Sequence, residues 1–273
     1  MTTNPPLKSA KDFLFRLSSK FWTFPLIRRY AAKWIGQRDI QIASGAGAGL
    51  RFNIAGSNLG YASGKNERPV QEAIASLLHP GDVFYDIGAN IGFFSVIAAQ
   101  LVGPKGQVYA FEPVPDNISL LEHNLALNGF RQAQVLQYAI SNRTGKGELL
   151  LADWNGGATL SAASAPPDLK GALTVDLVTI DALVTQKNIG APTLAKIDVE
   201  GAELDVLEGM VETIETYHPV IIFEIDDGNL EAYHKKLAAC ESLLKKHGYQ
   251  IRQLQDSYPA GEWIVGNYLA TLG

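Results

Sequence analysis

A glycine-containing turn set between two acidic residues is the part of this 273-residue chain best equipped for chemistry. Val83-Phe84-Tyr85-Asp86-Ile87 reads as a short buried strand that runs straight into Gly88-Ala89-Asn90-Ile91-Gly92, with a helix from Phe93. In an open α/β sheet, ligands bind beyond the carboxyl ends of the strands, where strand order reverses. Glycine there lets the chain turn tightly and lets a ligand approach the backbone. The spacing is Gly-x-Asn-x-Gly, not the Gly-x-Gly-x-x-Gly of dinucleotide binders. Asp86 at the strand end would repel a pyrophosphate but accepts hydrogen bonds from an ammonium group, which favours a zwitterionic, aminoacyl-bearing ligand over NAD. A second strand, 107–111, ends in Glu112, twenty residues after Gly92. An acid at that tip suits a ribose diol, because two hydroxyl donors match two carboxylate oxygens.

A second acidic block, Lys196-Ile197-Asp198-Val199-Glu200-Gly201-Ala202-Glu203, compresses a strand end, a glycine turn and a helix start into eight residues. Alternation along an extended strand puts Lys196, Asp198 and Glu200 on one side. Asp198 at the strand tip could orient an acceptor hydroxyl or remove its proton, and Glu200 is the second candidate. Glu203 in the first helical turn is explained by the positive end of the helix dipole. Glu224 and Asp226 add two acids at the end of a later strand. With Asp198 they could hold Mg²⁺ or Ca²⁺ through oxygen, but no calcium-loop spacing supports this, and no metal is expected. His218, before Pro219, reads as a turn residue.

These residues need a framework of strand tips. The pattern predicts helices over 70–78, 93–101, 115–128, 202–214 and 230–247, with a short one from Asp181. It predicts strands over 83–87, 107–111, 134–139, 148–152, 173–178, 194–199 and 220–225, closing with a hairpin of 249–254 and 263–270. Alternating strands and helices imply one α/β domain, a mostly parallel sheet covered on both faces, with an antiparallel strand at its end. Residues 155–171, rich in Ser, Ala and Pro, read as a loop of low pattern content. Residues 40–54 read as a hairpin or loop around Ser44-Gly45-Ala46-Gly47-Ala48-Gly49, and the division falls between an extension, 1–54, and the main domain, 55–273.

Composition removes several function classes. Hydrophobic residues make up 47% and charged residues 19%, which excludes a wholly disordered chain. No apolar run reaches the roughly 18 residues of a spanning helix, and the N-terminus lacks the layout of a secretory signal. One cysteine, Cys240, excludes an internal disulfide, no Cys/His cluster offers a zinc site, and a reducing, cytoplasmic compartment is expected. Of the 23 basic residues 8 lie in residues 1–38, with 1 of the 28 acids, so a +7 segment precedes a −12 body. An acidic body argues against nucleic acid as a partner. In 7–38, apolar residues recur at helical spacing between Lys and Arg. This basic amphipathic helix either caps the body or lies on an anionic membrane surface or partner.

Three blocks in order, residues 81–95, Ala110-Phe111-Glu112-Pro113 and 196–203, resemble the signature of FkbM-family methyltransferases, over about residues 60 to 254. The resemblance implies the Rossmann-like class I methyltransferase fold, seven strands mostly parallel with the seventh antiparallel, and S-adenosylmethionine (SAM) as cofactor. It implies methyl transfer to a hydroxyl of a small molecule such as a sugar, glycolipid or natural product. Carried over by position, Asp86, Gly88 and Asn90 face the methionine part of SAM in a loop closed by Gly92. Glu112 holds the ribose, with Pro113 and Asn117 nearby, and Ala139 and Ile140 sit at the adenine edge. Glu67 falls near the acid of the family's Tyr-Glu entry motif, although five residues separate it from Tyr61. The competing reading is a non-catalytic SAM- or nucleotide-binding module, which would keep Asp86 and Glu112 without needing Asp198. An NAD-dependent oxidoreductase is disfavoured by the glycine spacing and the lack of a Tyr-x-x-x-Lys pair.

Overall fold

The computed structural model describes residues 38–55, 58–152, 158–160, 169–186, 188–257 and 263–273. The chain divides into two compact units, Met1–Asn66 and Glu67–Gly273, C-terminal to the 54/55 division read from the sequence. The basic segment 7–38 lies outside the described residues except for Arg38. In the first unit, β1 (Ile40–Gln41) and β2 (Arg51–Phe52) pair antiparallel, with Ile40 opposite Phe52. The glycine run therefore closes a hairpin, and Gly49 N donates to Ile42 O at 2.9 Å. Helix α1 (Leu59–Ser63) starts where the Asn58 side chain accepts from Gly60 N and ends at Gly64 in the left-handed region, φ 70°.

The second unit begins with α2 (Arg68–Leu77), then β3 (Val83–Ile87), α3 (Phe93–Val102), β4 (Gln107–Phe111), α4 (Pro115–Ala126) and β5 (Ala133–Leu136). Four strands of a second sheet follow: β6 (Ala139–Ile140), β7 (Gly145–Ala152), β8 (Ala158–Leu160) and β9 (Leu169–Val178). The chain continues through α5 (Ile180–Thr185), β10 (Leu194–Ile197), α6 (Glu203–Glu208), α7 (Val211–Tyr217), β11 (Val220–Asp227), α8 (Leu230–Lys246), β12 (Tyr249–Gln253) and β13 (Ile264–Leu272). The large sheet has the order β12-β13-β11-β10-β3-β4-β5. Among its strands only β13 runs against its neighbours, the arrangement that the resemblance implies for the class I methyltransferase fold. Strand order reverses between β3 and β10, so the cleft that the topology offers lies at their carboxyl ends.

Four expectations need correction. The antiparallel strand is not at the sheet's end: β13 inserts between β11 and β12, a non-local pairing with no signature in the hairpin itself. The helix expected over 202–214 is two helices. Gly209 lies against the Ser141 carbonyl, where an added Cβ would come within 2.1 Å, and Met210 leaves helical geometry at φ −129°. The strand expected over 134–139 ends at Leu136, and Ala139–Ile140 pairs instead with β9. Finally, the described part of 155–171 is strand, contributing β8 and the start of β9 to a second sheet ordered β6-β9-β7-β8.

Central strands of a parallel sheet are covered on both faces and read as continuous apolar runs. On β3, alternation sends Tyr85 and Ile87 into the main core with Phe111, Ile197 and Phe223. Phe84 and Asp86 turn to the opposite face, towards α3, whose residues Phe93 to Ala99 are all buried.

Candidate active site

That opposite face carries a line of polar side chains across four strands. Asp86 is 1% exposed, and its Oδ2 accepts from Ser95 Oγ of α3 at 2.5 Å. Its Oδ1 is buried with no hydrogen-bond partner among the described residues. Lys196 on β10 is the register partner of Asp86, so its side chain emerges on the same face. Its Nζ lies 4.7 Å from the centroid of the Phe94 ring and donates to Asp198 Oδ2 at 2.8 Å. On β11, Ile222 pairs with Lys196, which puts Glu224 and Asp226 on that face by the two-residue period. Asn267 of β13, opposite Glu224, donates through Nδ2 to Glu224 Oε2 at 3.1 Å. Glu67, at the start of α2 in the left-handed region, completes the group. Oxygens of Glu67, Asp198 and Glu224 lie within 4.8 Å of one another, a spacing oxygen ligands of a hard cation could adopt. The trio includes Glu67 rather than Asp226, and the Lys196 ammonium already brings positive charge to Asp198.

The glycine loop and the tip of β10 meet through their backbones. Asp198 N donates to Ile87 O at 3.0 Å, and a Cβ on Gly88 would sit 1.8 Å from the Asp198 carbonyl oxygen. With φ at 82°, Gly88 occupies the left-handed region and leaves no room for a side chain. On the other side of the loop, Glu112 is 4% exposed and held rigidly. Its Oε2 accepts from Asn90 N at 2.8 Å. Its Oε1 accepts from Val114 N at 2.9 Å and Asn117 Nδ2 at 3.2 Å, and Pro113 shapes the turn between. Gly92, at φ 87°, opens α3 against Leu121.

Electrostatics follow from crowding. Glu67, Asp86, Asp198, Glu200, Glu203, Glu224 and Asp226 share this edge with the buried ammonium of Lys196. Burial raises the Asp86 carboxyl above its ordinary range, opposed by Lys196 and Ser95. Burial likewise raises Glu112, opposed by the Val114 amide and Asn117. Burial works against the charge of Lys196, but Asp198, Glu67 and Asp86 outweigh it and hold the ammonium protonated beyond the usual lysine range. Glu224 is pushed well up by burial and then by Asp198 and Glu67. An arrangement with this excess of carboxylate attracts a cationic ligand.

The sequence-selected residues are not all brought together. Asp86, Gly88, Asn90, Gly92, Glu112, Pro113 and Asn117 form one continuous loop system, and Asp198 abuts it. Glu200 departs from the expected alternation, because β10 ends at Ile197 and Glu200 turns at φ 54°. Its carboxyl pairs with Asp226, and burial followed by repulsion from Asp198 and Asp226 pushes it up to about 9. Glu203 stands in the first turn of α6, as expected, but is 3% exposed; its Oε1 accepts from Gly201 N at 2.9 Å, and burial pushes it up to about 7. Ala139 and Ile140 are buried in β6 of the smaller sheet. His218 ends α7 in the left-handed region, φ 50°, as a turn residue should. The site role of Lys196 escaped sequence reasoning, as did those of Ser95, Phe94 and Asn267. A lysine inside an otherwise apolar strand, Leu194-Ala195-Lys196-Ile197, was the available signal.

Comparison with known proteins agrees with this geometry. The Methyltransferase FkbM domain model matches residues 86–251, more than half of the chain. Hexuronic acid methyltransferase AglP of Haloferax volcanii is 28% identical over 188 residues, covering 68% of this chain and 74% of that protein. The 31-O-demethyl-FK506 methyltransferase FkbM of Streptomyces tacrolimicus is 29% identical over 214 residues, covering 68% and 80%. The 2-O-methyltransferase NoeI of Sinorhizobium fredii is 29% identical over 189 residues, covering 64% and 76%.

Proposed function

The chain belongs to the FkbM methyltransferase family, and from that premise we propose that it uses SAM to methylate a hydroxyl of a small molecule, a sugar or glycolipid. The observation that carries this reading is the backbone contact between Gly88 and Asp198. It sets an acid directly beside the loop whose other residues suit the cofactor. The residues fit SAM: the partnerless buried Oδ1 of Asp86 is an acceptor that an ammonium would satisfy. Glu112 Oε2, with one donor engaged, retains acceptor capacity for a ribose hydroxyl.

SAM supplies an already activated methyl group, so the chain's own task is placement and proton handling. Asp198 is the candidate to orient the acceptor hydroxyl and accept its proton, and Lys196 fixes the Asp198 carboxylate through Oδ2. Glu200, paired with Asp226, stands at the next position along this edge. The sugar class, though not the charge of the sugar, is supported by the hexuronic acid named for the relative in Haloferax volcanii, and the acids along this edge suit hydroxyl donors. No helix among the described residues is long and apolar enough to cross a membrane. The +7 charge of residues 1–38 supports a cytoplasmic enzyme that touches anionic membranes peripherally, where lipid-linked sugars reside.

The test is transfer of radiolabelled methyl from SAM to a panel of glycosides. Asp198→Asn should retain SAM binding within about threefold and lower turnover on the order of 10²-fold or more. Unaltered turnover would remove Asp198 from the chemistry.

A further inference from the structure

One aromatic residue at this edge has no part in the cofactor arrangement. Trp263 is a large apolar side chain, yet it stands 56% exposed immediately before β13. Ile264, its neighbour, pairs with Asp227 at the end of β11, so Trp263 sits at the carboxyl edge of the sheet, with the acids and away from the opposite rim. Its ring is fixed at two points. The indole Nε1 donates to Asp226 Oδ2 at 2.8 Å. The six-membered ring lies against Gly228, where an added Cβ would come within 2.9 Å of Cζ3 and 3.1 Å of Cε3. Glycine at 228 therefore makes room for the indole. A core residue would be covered, and an incidental surface tryptophan would not be anchored at both ends.

Its neighbours define the ligand. Asp226 also hydrogen-bonds the Glu200 carboxyl, and Asp198 lies close enough to repel both. The nearby ammonium groups are already engaged: Lys196 on Asp198, and Lys236 on Asp227 Oδ2 at 2.9 Å and the Asp226 carbonyl at 2.8 Å. A flat exposed indole beside carboxyl groups suits a ring with an apolar C–H face and a rim of hydroxyl donors. Asp226 and Glu200 share a proton and so keep one negative charge between them, and with no uncommitted cation among these groups that charge opposes an anionic ring.

We propose that Trp263 is the stacking platform of the acceptor subsite and that Asp226 and Glu200 receive the hydroxyls of a neutral pyranose, with uronates and sugar phosphates excluded by charge. This rests on the reading of the site as a sugar O-methyltransferase and narrows its substrate class.

The test is direct binding, so that it stands apart from turnover. Full-length protein labelled with ¹⁵N at the indoles is titrated with methyl glucoside, galactoside, mannoside and xyloside, and with methyl glucuronide, with and without S-adenosylhomocysteine. Trp263→Phe identifies the Trp263 resonance. The expected result is a saturable shift of that resonance with at least one neutral glycoside, at least tenfold weaker binding of the glucuronide, and at least tenfold loss of glycoside affinity in Trp263→Ala. S-adenosylhomocysteine titration of the same variant checks that it is folded, and the wild-type resonance decides the matter if it is not. No shift with any neutral glycoside, or a glucuronide bound equally well, overturns the proposal even if S-adenosylhomocysteine binds. Glycoside binding at Trp263 without methyl transfer would uphold the platform and sink the transferase reading instead.

Discussion

At the scale of single residues, the site is a problem of charge held out of water. One buried lysine faces carboxylates from three strands and a helix start, and Lys196 is positioned by strand register with Asp86, not by loop flexibility. The surplus acids are therefore pushed towards their protonated forms, and this has a measurable sign. Glu200 titrates at about 9 in the folded chain against an ordinary value of 4.5, and Glu203 at about 7, both raised first by burial. Between pH 4.5 and 9 the native state holds protons that the unfolded state has released, so stability falls as pH rises through that window. The melting temperature without cofactor should drop steadily from pH 5 to pH 9, and Glu200→Gln should flatten the slope. Equal slopes in wild type and variant would show that Glu200 is not the group holding the proton.

At the scale of elements, β3 and β10 matter most, because their tips and the Gly88 turn share backbone space. Gly88→Ala places a methyl on the Asp198 carbonyl, which cannot move without unpairing Asp198 N from Ile87 O. Gly81→Ala has the same left-handed strain, φ 100°, but open space around it. The latter should cost about 1–2 kcal/mol from backbone strain alone. Gly88→Ala should cost clearly more, read as the shift in urea midpoint, and equal shifts would contradict the close approach. The same elements show what could be read from sequence. Strands β3 and β4 match their expected bounds because a central strand, buried on both faces, is a continuous apolar run between glycine turns. Asp86, Glu112 and Asp198 were legible as strand-tip acids. The role of Lys196 was not, because it exists only once β3 and β10 lie side by side. Nor was the second sheet, since a two-residue strand such as Ala139–Ile140 has no period to detect. Trp263 gave no signal, because its meaning comes from Asp226 and Gly228, which reach it through the β11–β13 pairing.

At the scale of the whole molecule, charge is divided along the chain, with eight basic residues and one acid in the first 38 positions and an acidic remainder. Electrostatic attraction to an anionic surface is worth about 1 kcal/mol per basic residue near it and is screened by salt. The full chain should therefore cosediment with phosphatidylserine-containing vesicles at low salt, and much less in 0.5 M NaCl or with Arg28→Glu and Arg29→Glu combined. Cosedimentation that ignores both changes, or none at low salt, would remove the membrane from the account. The acidic body has a separate feature: seven of its acids gather at one edge of the sheet, which under the proposed function would favour a cationic cofactor and a neutral acceptor.

Calorimetric titration of the purified chain with SAM tests the central claim, that the tips of β3, β4 and β10 together form one cofactor site. Binding in the micromolar range, roughly −8 kcal/mol, is expected. Asp86→Ala and Glu112→Ala should each weaken it at least tenfold while melting as cooperatively as wild type. Absence of binding to the wild-type chain, or undiminished binding in both folded variants, would contradict it.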